Sequence, residues 1–135
     1  NTTQAANSWS NEVTFDTTEF NVGTAYSTST YRFTPTTAGY YQLNASVNCD
    51  MTSGTSGRFF GRFYKNNAAH GQFGHMPAYS SDRAIIGGSM VIYLDGDDYV
   101  DIRVNTDGGT TLGINGGAPG SSSGMPTHFS GYLIG

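Results

Sequence analysis

Three arrangements in this chain have the residue types for catalysis. Gly120, Ser122 and Gly124 spell the Gly-x-Ser-x-Gly pattern of a nucleophile elbow, in which a strained strand-to-helix turn exposes a serine. No helical pattern follows it, the chain has only 135 residues, and the surrounding stretch is dominated by Gly and Ser, so the match reads as coincidence. His70 and His75 stand five apart in Gly-rich sequence, and His128 lies far downstream. Zinc sites use tighter spacing on regular structure with acidic partners, so these imidazoles read as solvated or locally hydrogen-bonded. Asp95, Asp97, Asp98 and Asp101 could supply the paired carboxylates of glycoside hydrolysis. Asp and Gly at a tight bend explain that cluster more simply, with alternation turning Asp101 to solvent. The expectation is a protein that is not an enzyme.

Recognition chemistry is better represented. Sugars require an aromatic face beside hydrogen-bonding groups, and Tyr79, Asp82 and Arg83, with His75 nearby, supply that combination. These four are the expected ligand-binding residues; the competing reading has them lining a contact between subunits. They fall in or beside residues 68–81, which contain Gly, Pro and His without a clear period and so read as a long surface loop with short strand pieces. Asn44, Ala45 and Ser46 form a glycosylation sequon on a polar strand face, meaningful only in a eukaryotic secretory setting. Cys49 has no second cysteine to pair with and stands in register with Leu43 and Val47, so it reads as a small core residue.

The elements that position these residues are strands. From Tyr41 the chain alternates, with Tyr41, Leu43, Ala45, Val47, Cys49 and Met51 on one face and Gln42, Asn44, Ser46, Asn48 and Asp50 on the other. Period two marks a strand with one buried and one polar face. Gly39 suits a crowded turn before it, and Pro35 with Thr36 and Thr37 breaks the preceding strand. Strands are expected over 12–16, 24–26, 31–34, 40–51 and 58–65, with Asn66 and Asn67 at a hairpin tip. Further strands are expected over 89–94, 99–105, 110–114 and 127–134, with turns at Asp95–Gly96 and 107–109 and a flexible loop over 116–124. Within 99–105, Val100, Ile102 and Val104 should face inward and Asp101, Arg103 and Asn105 outward. No segment carries a sustained helical period. About ten short strands at this spacing indicate a sandwich.

Composition bounds the rest. There is room for one domain, read as an N-terminal tether over 1–11 and a sandwich over 12–135. Nine Tyr, eight Phe and one Trp supply the apolar area that a disordered chain of this Gly content would lack. Trp9 is expected to pack on the domain base, on a neighbouring subunit or within its own subunit. A net charge of −4 with few basic residues argues against nucleic acid. No run approaches the roughly 18–20 apolar residues that span a bilayer, so membrane insertion is not expected. The start lacks Met and a signal peptide, which reads as a piece of something longer.

Phe15, Asn21, Tyr26, Phe33, Gly39 and Tyr41 fall at intervals that resemble the signature of the complement C1q globular-head family. Leu43 and Ala45 depart from it, because the family usually places aromatics there. Leu94, Gly96, Asp97 and Val100 look like the family's turn before its penultimate long strand, and Phe129, Ser130, Gly131, Tyr132 and Leu133 like its terminal strand. The resemblance thus covers roughly 13–134 and leaves 68–81 unmatched. It implies a ten-stranded antiparallel jelly roll, like the tumour-necrosis-factor fold, that assembles as a trimer and acts as a recognition head. Some members bind calcium through acidic residues in the loop before the strand matching 89–94. This chain offers only Asp82 there, too few oxygens for calcium unless three copies converge, so no cofactor is expected.

The function these features favour is a homotrimeric receptor-binding or adhesive head at the tip of a viral or phage fibre, on a virion surface or otherwise extracellular. It would bind cell-surface glycan or protein multivalently and be joined to an upstream stalk. The low cysteine content, the Gly, Ser, Thr and Asn bias and the fragmentary start motivate the fibre. A secreted innate-immune lectin of the same fold and a trimerisation clamp without ligand are the alternatives.

Overall fold

The computed structural model describes residues 2–4, 9, 12–51, 56–79, 83–107, 111–116 and 127–135. Two five-stranded antiparallel sheets pack face to face. Strands β1 (Thr2–Gln4), β4 (Gly39–Met51), β7 (Arg83–Leu94), β9 (Leu112–Ile114) and β10 (His128–Leu133) form the first sheet, with β4 at its centre. One edge of β4 pairs with β7 along its length from Gly39↔Leu94 to Asp50↔Arg83; the other is shared between β10 and β9. The second sheet runs β2 (Tyr26–Ser27), β3 (Arg32–Phe33), β8 (Val100–Thr106), β5 (Ser56–Lys65), β6 (Ala68–Tyr79).

The alternation from Tyr41 forms β4 as expected, and the inward row Tyr41, Leu43, Ala45, Val47, Cys49 and Met51 is buried. Facing it across the sandwich, Phe59 and Phe63 of β5 are almost fully enclosed, each burial contributing about 1.5–3 kcal/mol. Ala45, where the family carries a larger ring, lies opposite Phe129 of β10, whose ring packs against Phe15, Tyr26 and Phe33. Gly39 opens β4 rather than a free turn: a Cβ there would lie 2.6 Å from Leu133 Cδ1 and 2.7 Å from the Gly135 carbonyl oxygen. Cys49 is fully buried, which pushes its thiol up to about 12.

Several expectations change, among them the strand over 24–26, where Val22–Thr24 forms a 3-10 helix and pairing starts only at Tyr26. Residues 68–79 form a continuous strand, not a loop, paired with β5 from Lys65↔Ala68 to Ser56↔Tyr79. Register shifts between Phe60 and Gly61 and between Phe63 and Tyr64 break the two-residue period, and Gly74 at the first shift has φ +66°. Strand β7 likewise starts at Arg83, six residues before the expected 89. The strand expected over 12–16 shrinks to a bridge between Glu12 and Arg103, with the Val13 amide donating to the Ile102 carbonyl. The Phe15 amide then turns back to the Val13 carbonyl, which ends the pairing. Finally, Asp101, Arg103 and Asn105 do point away from the core but are buried, because other groups cover that face.

Asn66 and Asn67 form the β5–β6 hairpin tip, with φ values of 50° and 65° that the small polar side chains tolerate. The loop expected over 116–124, including Ser122, lies almost wholly outside the described residues.

Candidate functional site

The outer face of the second sheet collects most of the chain's cations. Along β5, Arg58, Phe60, Arg62 and Tyr64 point outward, between Pro77, His75, Gln72 and Ala69 of β6 and the outward residues of β8. At one end Arg103 donates from Nε to Asp101 Oδ1 (2.7 Å) and from Nη2 to Asn67 Oδ1 (2.7 Å), and Nη1 donates to the Trp9 carbonyl (3.0 Å). Its guanidinium lies 4.2 Å over the Tyr64 ring. Burial alone would depress the Arg103 pKa, but the bond to Asp101 and the carboxylates of Asp101 and Glu12 raise it. This is a buried ion pair with its hydrogen bonds met, so its role is structural.

Trp9 settles on this face within its own subunit, 6.2 Å from the Tyr64 ring and with Arg62 over it at 4.3 Å. At the same end, Asp98 takes Lys65 Nζ at 2.6 Å, Asn66 Nδ2 at 2.6 Å and the Asp95 amide at 3.0 Å. The Lys65 contact, with the Asp95 amide and Asn66, holds its carboxyl well below the usual carboxylate range. Asp95 is shifted the other way, first by its hydrogen bond to Asp97. The acidic cluster therefore ties the β7–β8 turn to the hairpin tip, as turn chemistry suggested. Among the described residues no group of three potential ligands could hold a metal ion.

The opposite end is open. Ser56, Gly57, Arg58, Pro77, Tyr79 and Asp107 line a shallow depression. Tyr79 is 63% exposed, and His75 stacks on Phe60 with ring centroids 4.9 Å apart. Arg58 reaches Asp107 through its guanidinium, with Nε at 2.7 Å, and through its backbone amide at 2.9 Å. That contact holds the Asp107 carboxyl below its ordinary value.

Of the four expected ligand residues, His75 and Tyr79 thus share one face. Arg83 does not: it lies across from Asp50 on the first sheet, with its Nε 3.1 Å from Asp50 Oδ1. Asp82 is outside the described residues. Arg58 and Phe60 are the partners that sequence reading missed; alternation along β5 placed them on one face, but only the strand character of 68–79 brings His75 and Tyr79 beside them.

The first sheet's outer face is of a different kind. Tyr40 and Tyr93 face each other with ring centroids 5.4 Å apart, and Val91 and Tyr132 flank Gln42 in the next row. All four large side chains are about half exposed.

Two five-stranded antiparallel sheets packed face to face, with aromatic and charged outer faces, define a jelly-roll sandwich. The sequence matches the C1q domain family over residues 1–134, and the chain belongs to that family. The globular domain of zebrafish complement 1qA protein has the same fold, with a TM-score of 0.62 at 17% identity over 99% of this chain and 91% of that one. The Eiger TNF of S. frugiperda aligns over 74% of this chain and 73% of its own at 8% identity, with a TM-score of 0.43. No curated protein sequence matches the chain. C1q-like domains form homotrimers, bind ligands, are typically secreted or extracellular and are generally not enzymes. No helix among the described residues is long and apolar enough to cross a membrane.

Proposed function

We propose that this chain is the head of a viral or phage fibre, a homotrimer that attaches to cell-surface glycan or protein through the outer face of its second sheet. The observation that carries this reading is the apolar cluster Tyr40, Val91, Tyr93 and Tyr132 on the centre of the first sheet. These side chains stand on β4 and on the two strands hydrogen-bonded to it, β7 and β10, and leaving a contiguous apolar patch in water is unfavourable. Packing of that face around a three-fold axis removes it from solvent. Arg83 and Asp50 lie on the same sheet and belong with the subunit contact. His75 and Tyr79, on the other sheet, face away from that contact, with Arg58 beside them. Three such sites on one rigid head raise a weak single-site affinity by roughly 10² to 10⁴. The Gly, Ser, Thr and Asn bias and the single, buried cysteine support the fibre assignment.

The test is binding of the purified protein to a glycan array and to intact cells, beside a Tyr79→Ala variant and a Val91→Arg variant. The first should lose the ligand while keeping the assembly. The second should lose avidity by falling apart. Absence of binding to any surface, with the assembly intact, would leave only a structural clamp.

A further inference from the structure

Of the six basic side chains, Arg32, Arg58, Lys65, Arg83 and Arg103 each have a carboxylate within ion-pair distance. Arg62 has none among the described residues. It sits half-buried on the second sheet's outer face, its guanidinium carbon 4.3 Å from the Trp9 ring centroid, and both its Nε and Nη2 donate to Gln72 Oε1 at 3.2 Å. A cation in such a position loses part of its hydration without the compensation of an acid. Arg only donates, so Gln72 must present its oxygen inward, and its amide NH₂ is turned away from the guanidinium. Nη1 and the second Nη2 hydrogen are left available on the same edge. One row along the strands stand Phe60 and His75, stacked 13° from parallel; on the other side stands Trp9. Arg62, the Gln72 amide and these aromatic rings therefore lie side by side on one stretch of the outer face.

We propose that this stretch of the face is a carboxylate subsite in which Arg62 binds the acid group of an acidic glycan. The planar fork of Arg matches a carboxylate with two parallel hydrogen bonds. Gln72 donates to a neighbouring hydroxyl, and the rings take the apolar face of the pyranose. An acidic peptide in extended form is disfavoured as the occupant by the edge it would have to join. On β6 the bulge at Gly74 and the missing amide hydrogen of Pro77 interrupt the ladder that strand addition needs. The inference rests on the reading of the chain as a recognition head and gives that head its ligand chemistry.

Trp9 is the chain's single tryptophan and stands beside Arg62, so its fluorescence reports on this subsite directly. The intact protein is titrated with N-acetylneuraminate and glucuronate, with their methyl esters, and with a poly-glutamate peptide. The free acids should give a saturable change and the esters at least tenfold weaker binding. Arg62→Gln should weaken the acids at least tenfold. Gln72→Glu should do the same by supplying the absent carboxylate from within, and it adds an ion pair, which keeps the test decisive if Arg62→Gln fails to fold. Esters binding as well as acids, undiminished binding by Gln72→Glu, or a peptide response stronger than that of the sugars would each overturn the proposal. Cell attachment untouched by Arg62→Gln would refute the subsite and leave the recognition head standing.

Discussion

The Asn21 side chain grips the backbone of Tyr26 at two points: Oδ1 accepts the Tyr26 amide at 3.0 Å, and Nδ2 donates to the Tyr26 carbonyl at 2.7 Å. The asparagine of the family spacing is thus a clamp that closes the chain between Phe20 and Tyr26 and delivers Tyr26 to the core, where its hydroxyl donates to the Phe15 carbonyl. Asn21→Ala should lower stability by about 1–2 kcal/mol, because two partly buried backbone groups lose their partner. Asn21→Asp, which keeps only the acceptor, should fall between. Denaturant midpoints of the three proteins check the order.

Arg103 and Asp101 form a pair that is 6% and 0% exposed. Removing one member strands a buried charge, which typically costs about 3–5 kcal/mol. Arg103→Met is expected in that range, and adding Asp101→Asn should recover part of it. A double-mutant cycle measures the coupling, and additive losses would mean that the pair does not act as a unit.

Asp98 gives stability a pH dependence of defined sign. Its folded carboxyl titrates below the value of about 3.9 expected in an unfolded chain. The stabilisation it contributes is therefore complete above about pH 4 and is lost as pH falls from there toward the depressed folded value. Urea midpoints at pH 6 and pH 3 should fall further for the natural protein than for Asp98→Asn.

The sequence announced the core better than the surface. Strand β4 was legible because one face packs on a continuous core and the other does not, so its period stays clean. Strand β6 was not, since two bulges shift its register and Gly71, Gly74 and the exposed His70 blur any alternation. The burial of Asp101 was equally hidden: alternation sets the face on which a side chain stands, whereas Trp9, 92 residues earlier in a polar stretch, helps cover that face. That Arg62 has no carboxylate partner among the described residues follows only from the placement of the acids in the fold. Structure also gives meaning to the sequon. Asn44 stands on the outer face of the central strand, bonded to Gln42 and Ser130, one row from the Tyr132 and Val91 patch. A glycan there would stand in the way of a trimer built on that face, so an occupied Asn44 and that trimer exclude one another.

The same face carries the central claim, and the native mass of the protein tests it most directly. At micromolar concentration and neutral pH the account predicts three times the 14.4 kDa of one chain, collapsing to a single chain when Val91 in the patch becomes Arg. A natural protein that runs at the mass of one chain would contradict it.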